Sequence, residues 1–227
     1  MTAATERLLR TAGSFDDTSI GAPSMCPGWT RAHVLSHVAR NADSHTNLFT
    51  WARTGVQTPQ YPSREARAAD IDAGARRSAA EIVEDVRASA QRFSAAVASL
   101  PDEAWERQVR MGPAATGRVI PARRVLWHRL REVEIHHVDL DSGYAPADWS
   151  PAFVARALSD TYRDFGRRDD VPAITLVVDG VTERLGSGGP TVTGSAAAVL
   201  GWLTGRSMGA DLRVHPPGPL PTLPPWA

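Results

Sequence analysis

From Ala122 to about Asp141 the chain reads as one helix, and within it Glu132 and His136 stand four residues apart. Four residues advance a helix by about 400°, so both side chains leave the same face, one turn apart. With Val125 set at zero, Glu132, His136, Arg129 and Leu140 fall within about 80° of one another, beside Val133 and Leu126. The carboxylate and the imidazole therefore lie at the edge of the core stripe. Two folds accommodate such a pair. In one it reaches solvent as an ordinary helix-surface contact of about 0.2–0.5 kcal/mol. In the other a second helix closes over it with a third ligand, and the three hold a divalent metal. Glu134 and His137, three residues apart, form a rival pair that faces another direction.

The best source of a third ligand is Trp29-Thr30-Arg31-Ala32-His33-Val34-Leu35-Ser36-His37-Val38-Ala39-Arg40-Asn41. Cys26-Pro27-Gly28 marks a turn, Thr30 can cap a helix, and the helix runs to about Trp51. Its apolar stripe is Val34, Val38, Ala42, His45, Phe49 and Ala52. His45 falls in the middle of that stripe and His37 on its flank, beside Asn41 and Leu48. Spacing alone thus turns His45 inward more than His37. His33, His37 and His45 are each also compatible with a core histidine satisfied by a hydrogen bond.

Helical periodicity also covers residues 3–13 and 78–100, the latter stopped by Pro101. Residues 54–64 and 111–121 read as loops, with Gly55, Pro59 and Pro62 as breakers in the first. Long helices with short links predict an up-and-down four-helix bundle. The character then changes. A helix over 151–169 is followed by β-like runs at 173–178, 181–185 and 190–193, with Asp179-Gly180 a hairpin signal between the first two. A small-residue helix over 195–205 and a last strand at 212–214 precede a proline-rich tail from Pro216. The expectation is an α+β chain of two domains, residues 1–147 helical and residues 148–227 a smaller α+β domain.

Composition excludes several functions. Lys+Arg and Asp+Glu both number 25 in the 227 residues, so the net charge is zero, unlike a chain that lives on phosphate contacts. Nucleic acid is not an expected partner. Every basic residue is arginine, which removes a lysine Schiff base and a lysine-bearing phosphate loop. No apolar stretch of about 18 residues predicts a membrane span, and the N-terminus lacks the apolar core of a signal peptide. Cys26 is the one cysteine, so no internal disulfide can form. A reduced, cytoplasmic protein is expected, with Cys26 inert. Gly186-Ser187-Gly188-Gly189 reads as a plain turn.

The run Pro27 to Ala42 resembles the metal-binding helix of the mycothiol-dependent maleylpyruvate isomerases, members of the DinB-like group of metal-binding helical bundles. Trp51-Ala52-Arg53-Thr54-Gly55, Thr58-Pro59 and Glu65-Ala66-Arg67 continue the likeness. Leu126-Trp127, Arg131-Glu132-Val133 and His136-His137-Val138-Asp139-Leu140 match the second metal-binding helix. Gly205-Arg206 and the closing Pro-Pro-Trp extend it, so the resemblance covers nearly the whole chain. It implies that the first ligand is His37, eight residues after Trp29, and that Glu132 and His136 complete a triad for a divalent, zinc-type ion. Arg206 matches a C-terminal arginine used at the family's active site. The pair His136-His137 and the additional His45 depart from the usual pattern and leave coordination through His45 or His137 open. Asn41 and Asp139 are candidates to support the ligating histidines.

The function implied is a metal- and mycothiol-dependent cis–trans isomerization of maleylpyruvate to fumarylpyruvate, with Arg206 clamping a substrate carboxylate. The partners are then a small-molecule substrate and a low-molecular-weight thiol. Two alternatives use the same scaffold: a mycothiol-dependent S-transferase or thiol-exchange enzyme, and a non-catalytic metal-binding module.

Overall fold

The computed structural model describes residues 2–112 and 116–226. Two compact units divide the chain, Met1–Ser142 and Gly143–Ala227. The class is the α+β arrangement expected from the sequence, a helix-rich N-terminal unit followed by a unit with a small sheet.

In the first unit the long helices are α1 (Thr2–Ala12), α3 (Arg31–Thr54), α5 (Ala79–Ala98) and α6 (Arg123–Asp139). Helix α3 packs against both α5 and α6, and α1 lies against α6 and α5. Local chemistry sets where they begin and end. Thr30 caps α3 by accepting from the backbone N–H of His33, and Ser78 and Glu81 form a reciprocal capping box at the start of α5. Gly55 ends α3 in the left-handed conformation at φ 75°. The core falls into two apolar clusters, one around Leu8, Leu35, Val38, Ile82, Val86 and Val133, the other around Leu48, Phe49, Phe93 and Val125. Because α3 has neighbours on several sides, polar residues along it are buried as well, among them His37, Asn41, Ser44 and His45.

Two further helices join these elements, α2 (Asp17–Ile20) and α4 (Arg64–Gly74), and α4 packs on α3. A side chain at Gly74 would meet Ser36 Oγ at 2.8 Å, so this close approach of α4 to α3 requires glycine. The segment 111–121 is not wholly loop. Strands β1 (Gln108–Met111) and β2 (Arg118–Pro121) pair antiparallel with Val109 opposite Ile120, and both of these side chains are buried. One inward residue per strand is too little pattern to be read against the surrounding Gly, Pro and Thr. Residues 113–115 of that predicted loop lie outside the described residues.

The second unit carries α7 (Pro151–Phe165), α8 (Ala196–Leu203) and a four-stranded sheet in the order β4-β3-β5-β6. Strands β3 (Ile174–Val178) and β4 (Val181–Leu185) form the predicted hairpin. Its turn residues, Asp179 and Gly180, have φ of 49° and 81°, the left-handed pair that this tight turn demands. Strand β5 (Thr191–Gly194) runs parallel to β3, and β6 (Arg213–His215) antiparallel to β5. Ile174, Leu176 and Val178 alternate inward, giving β3 one buried face. Among the described residues no helix is long and apolar enough to cross a membrane.

Candidate metal centre

Helices α3 and α6 bring residues 95 or more positions apart into one cluster. His37 Nε2 lies 3.0 Å from Glu132 Oε2 and 3.1 Å from His136 Nε2, and His136 Nε2 lies 3.5 Å from Glu132 Oε2. These edges resemble the spacing of about 3.3 Å between neighbouring ligand atoms around a tetrahedral ion with bonds of about 2.0–2.1 Å. Two imidazoles and one carboxylate form the donor set of an open zinc-type site, with a coordination position left for a water or a substrate. The residues fit such an ion by type and by spacing.

The centre is buried on one side and open on the other. The His37 side chain is 6% exposed, while His136 keeps 15% and Glu132 30% of its side-chain surface. Burial lowers the His37 pKa to about 4, so the ring is neutral near pH 7. Burial would raise the Glu132 pKa, but hydrogen bonds from His136 and His37 outweigh it and hold the carboxyl well below its usual range. For His136 burial acts downward, and Asp139, Cys26 and Glu132 together raise it well above the ordinary imidazole value. An ion bound there would take the place of that proton.

The surrounding contacts orient each candidate ligand. His136 Nδ1 donates to Asp139 Oδ2 at 2.8 Å, and Asp139 is itself only 1% exposed. This is the carboxylate–histidine support found behind many metal ligands. The same oxygen accepts from the Cys26 thiol at 3.3 Å. Cys26, His136 and Asp139 thus form a second group of possible ligand atoms, but it draws on His136 through Nδ1, on the side turned away from His37. On the other flank Arg67 Nη2 donates to His37 Nδ1 at 2.9 Å.

Three further histidines, His33, His45 and His137, have partners elsewhere. His33 takes part in the α3 cap, its Nδ1 2.7 Å from Thr30 Oγ1. His45 is 1% exposed, as the stripe predicts, but its Nδ1 bonds to Asn41 within its own helix, and burial lowers its pKa to about 3. Glu134 and His137 turn toward α1, where Arg7 Nη2 meets Glu134 Oε1 and Thr11 Oγ1 meets His137 Nε2, both at 2.8 Å. Asn41 braces His45 and the buried Arg129, accepting from Arg129 Nη1 at 2.8 Å, and so does not back His37 or His136.

Arg206 belongs to the second unit. It follows Gly205, whose φ is 73°, at the end of α8, and its backbone N–H donates to Gly201 O at 2.7 Å. Its Nη1 donates to Thr204 O at 2.6 Å, and its guanidinium lies 5.7 Å from the Trp226 ring centroid. Sequence reasoning missed the roles of Arg67 and Arg129 and the thiol contact to Asp139. Each is a contact across long sequence separation that no local spacing encodes.

Comparison with known proteins gives a consistent picture. The family model of the mycothiol maleylpyruvate isomerase N-terminal domain matches residues 1–141, and that of the corresponding C-terminal domain matches residues 148–225. The crystal structure of a mycothiol-dependent maleylpyruvate isomerase is similar at 29% identity, with a TM-score of 0.89 over 99% of this chain and 93% of that one. A His-to-Ala mutant of the mycothiol-dependent maleylpyruvate isomerase gives a TM-score of 0.91 at 28% identity, over the same shares of the two chains. No curated protein matches the chain by sequence.

Proposed function

Because the chain belongs to the mycothiol-dependent maleylpyruvate isomerase family, we propose that it is a metal- and mycothiol-dependent cis–trans isomerase converting maleylpyruvate to fumarylpyruvate. The observation that carries this reading is the meeting of His37 Nε2, Glu132 Oε2 and His136 Nε2 within 3.5 Å of one another at a partly open site.

A divalent zinc-type ion held by those three atoms would supply positive charge that stabilises a thiol, of free pKa about 8.5, as its thiolate. The chain's own residues prepare the site for that chemistry. His37 presents a neutral ring, Glu132 brings the one negative charge among the ligands, and Asp139 fixes the ring of His136. The reaction is an addition followed by its reversal. The thiolate sulfur bonds to one carbon of the cis double bond, and the π pair moves into the conjugated carbonyl. The carbon–carbon bond, now single, rotates. The pair then returns and expels the thiolate, leaving the trans isomer with no atom gained or lost.

Arg206 is the proposed grip on a substrate carboxylate, for which a planar guanidinium is suited to bidentate pairing. The test of the whole reading is a thiol-swap assay on zinc-loaded protein: maleylpyruvate with mycothiol, with glutathione and with neither. Conversion with mycothiol alone is the expected result. Absence of conversion, with zinc and mycothiol both bound, would replace the isomerase by a mycothiol-dependent S-transferase on the same centre.

A further inference from the structure

Arg67 lies at the rear of the candidate centre and also lines a cavity. From α4 its Nη2 reaches His37 Nδ1 at 2.9 Å. A guanidinium only donates, so Nδ1 is the acceptor, and the single proton of a neutral His37 ring sits on Nε2. That proton points at Glu132 Oε2, 3.0 Å away. In that tautomer both ring nitrogens of His37 have a partner, Arg67 at Nδ1 and Glu132 at Nε2.

It does not suit a metal. An ion takes the lone pair of Nε2, so the ring proton moves to Nδ1 and faces an Arg67 N–H. Two donors then stand about 2.9 Å apart with no acceptor between them. No such conflict exists at His136, whose Nδ1 already donates to Asp139. Occupation of the centre therefore favours withdrawal of the Arg67 side chain from His37.

The cavity beside it has a volume of about 490 Å³ and is lined by Gln60, Tyr61, Arg64, Arg67 and Gly112, with no carboxylate among the described lining residues. The Arg67 guanidinium already lies 5.6 Å from the Tyr61 ring centroid. Two arginines in the described lining make the cavity a place for an anion, and its size suits a small dicarboxylate.

We propose that Arg67 is a metal-gated carboxylate anchor: loading the His37 centre releases its guanidinium into the cavity it shares with Arg64, where it binds one carboxylate of the substrate. This rests on the metal-dependent reading above. Linkage then makes the effect reciprocal, so a carboxylate at Arg67 tightens the metal.

The experiment measures Zn²⁺ affinity by competition with a chromophoric chelator, with and without maleate, in the wild type, Arg67→Met and Arg67→Lys. Circular dichroism and thermal melting verify that each variant is folded. Maleate is expected to tighten Zn²⁺ several-fold in the wild type, partially in Arg67→Lys and not at all in Arg67→Met. Without maleate, Arg67→Met is expected to bind Zn²⁺ at least as tightly as the wild type, because the opposing donor is gone. Ten-fold weaker Zn²⁺ binding by folded Arg67→Met and Arg67→Lys would make Arg67 a support for His37 and overturn the proposal. Equal tightening by maleate in Arg67→Met would do the same, placing the anion elsewhere. A wild type that binds no Zn²⁺ would instead remove the metal-dependent reading itself.

Discussion

Asp139, three residues further along α6, receives the Nδ1 proton of His136 at 2.8 Å, while Nε2 of the same ring faces His37. The carboxylate is buried to 1% exposure, so it has little water to compete for that proton. It therefore fixes both the orientation and the tautomer of the ring. Asp139→Asn keeps the shape but can present its amide N–H₂ where an acceptor is required. We expect Zn²⁺ affinity to fall about 10–100-fold, as for other losses of a histidine-orienting carboxylate. Unchanged affinity in a chelator competition would show that Asp139 serves only the helix end.

Removal of a ligand should act more severely than removal of its support. His37→Ala, Glu132→Ala and His136→Ala each delete one of the three atoms that meet within 3.5 Å. Each variant is expected to lose more than about 100-fold in Zn²⁺ affinity, beyond the range of an orienting residue. Metal content after dialysis reads this directly. Full occupancy in all three would sink the triad, whereas loss confined to one would redraw it.

The helices were legible because stripe and cap agree. Thr30 and Asp179-Gly180 each announced a boundary through the chemistry of the cap or the turn. Helix α4 was not legible, since only Ile71 and Gly74 of it are buried and so little periodicity emerges. The site was half legible. The spacing of Glu132 and His136 put both on one face, but spacing also turned His45 inward, and both His45 and His37 are in fact buried. A helix with neighbours on several sides has no single inward face, so an amphipathic stripe could not choose between them. The family resemblance favoured His37, which is the histidine that meets α6. Arg67 stayed invisible because its partner lies 30 positions upstream, with a loop between.

Cys26 lies near the centre and its chemistry invites a covalent role, yet its thiol donates to Asp139 Oδ2 at 3.3 Å. A serine hydroxyl makes the same bond. Cys26→Ser should thus retain thiol-dependent turnover within several-fold and bind Zn²⁺ with wild-type affinity. A folded, metal-loaded and inactive Cys26→Ser protein would show that the sulfur itself takes part in the reaction.

Arg206 is tied to the end of α8 by its own backbone and by the Nη1 bond to Thr204 O. A structural arginine and one that grips a carboxylate make different kinetic predictions. Arg206→Ala is expected to lower kcat/KM at least about 10-fold with Zn²⁺ content unchanged, since a charge-assisted bond contributes about 1.5–3 kcal/mol. Arg206→Lys should recover only part of this, lacking the planar fork. Unaltered kinetics in a stable Arg206→Ala protein would assign the residue to the α8 terminus alone.

His45 gives a pH test that does not touch the proposed ligands. Burial lowers its pKa to about 3, against 6.5 for the free side chain. Below pH 6.5 the unfolded chain therefore binds a proton that the folded chain refuses, and stability falls as pH falls. The slope contributed is about 1.4 kcal/mol per pH unit between the two values. His37, lowered to about 4 by burial, adds a second contribution over an overlapping window. His45→Asn places its amide where Nδ1 bonds to Asn41 and removes the titrating ring. Its absolute stability should drop because the ring leaves a void beside Phe93, 6.4 Å from the His45 centroid. Its dependence on pH should nonetheless flatten by about 1.4 kcal/mol per unit between pH 6 and 4.5. Urea midpoints across that range, on metal-free protein, separate the two effects. An identical slope in wild type and His45→Asn would mean that His45 is protonated inside the fold, in contact with an acceptor at Nε2.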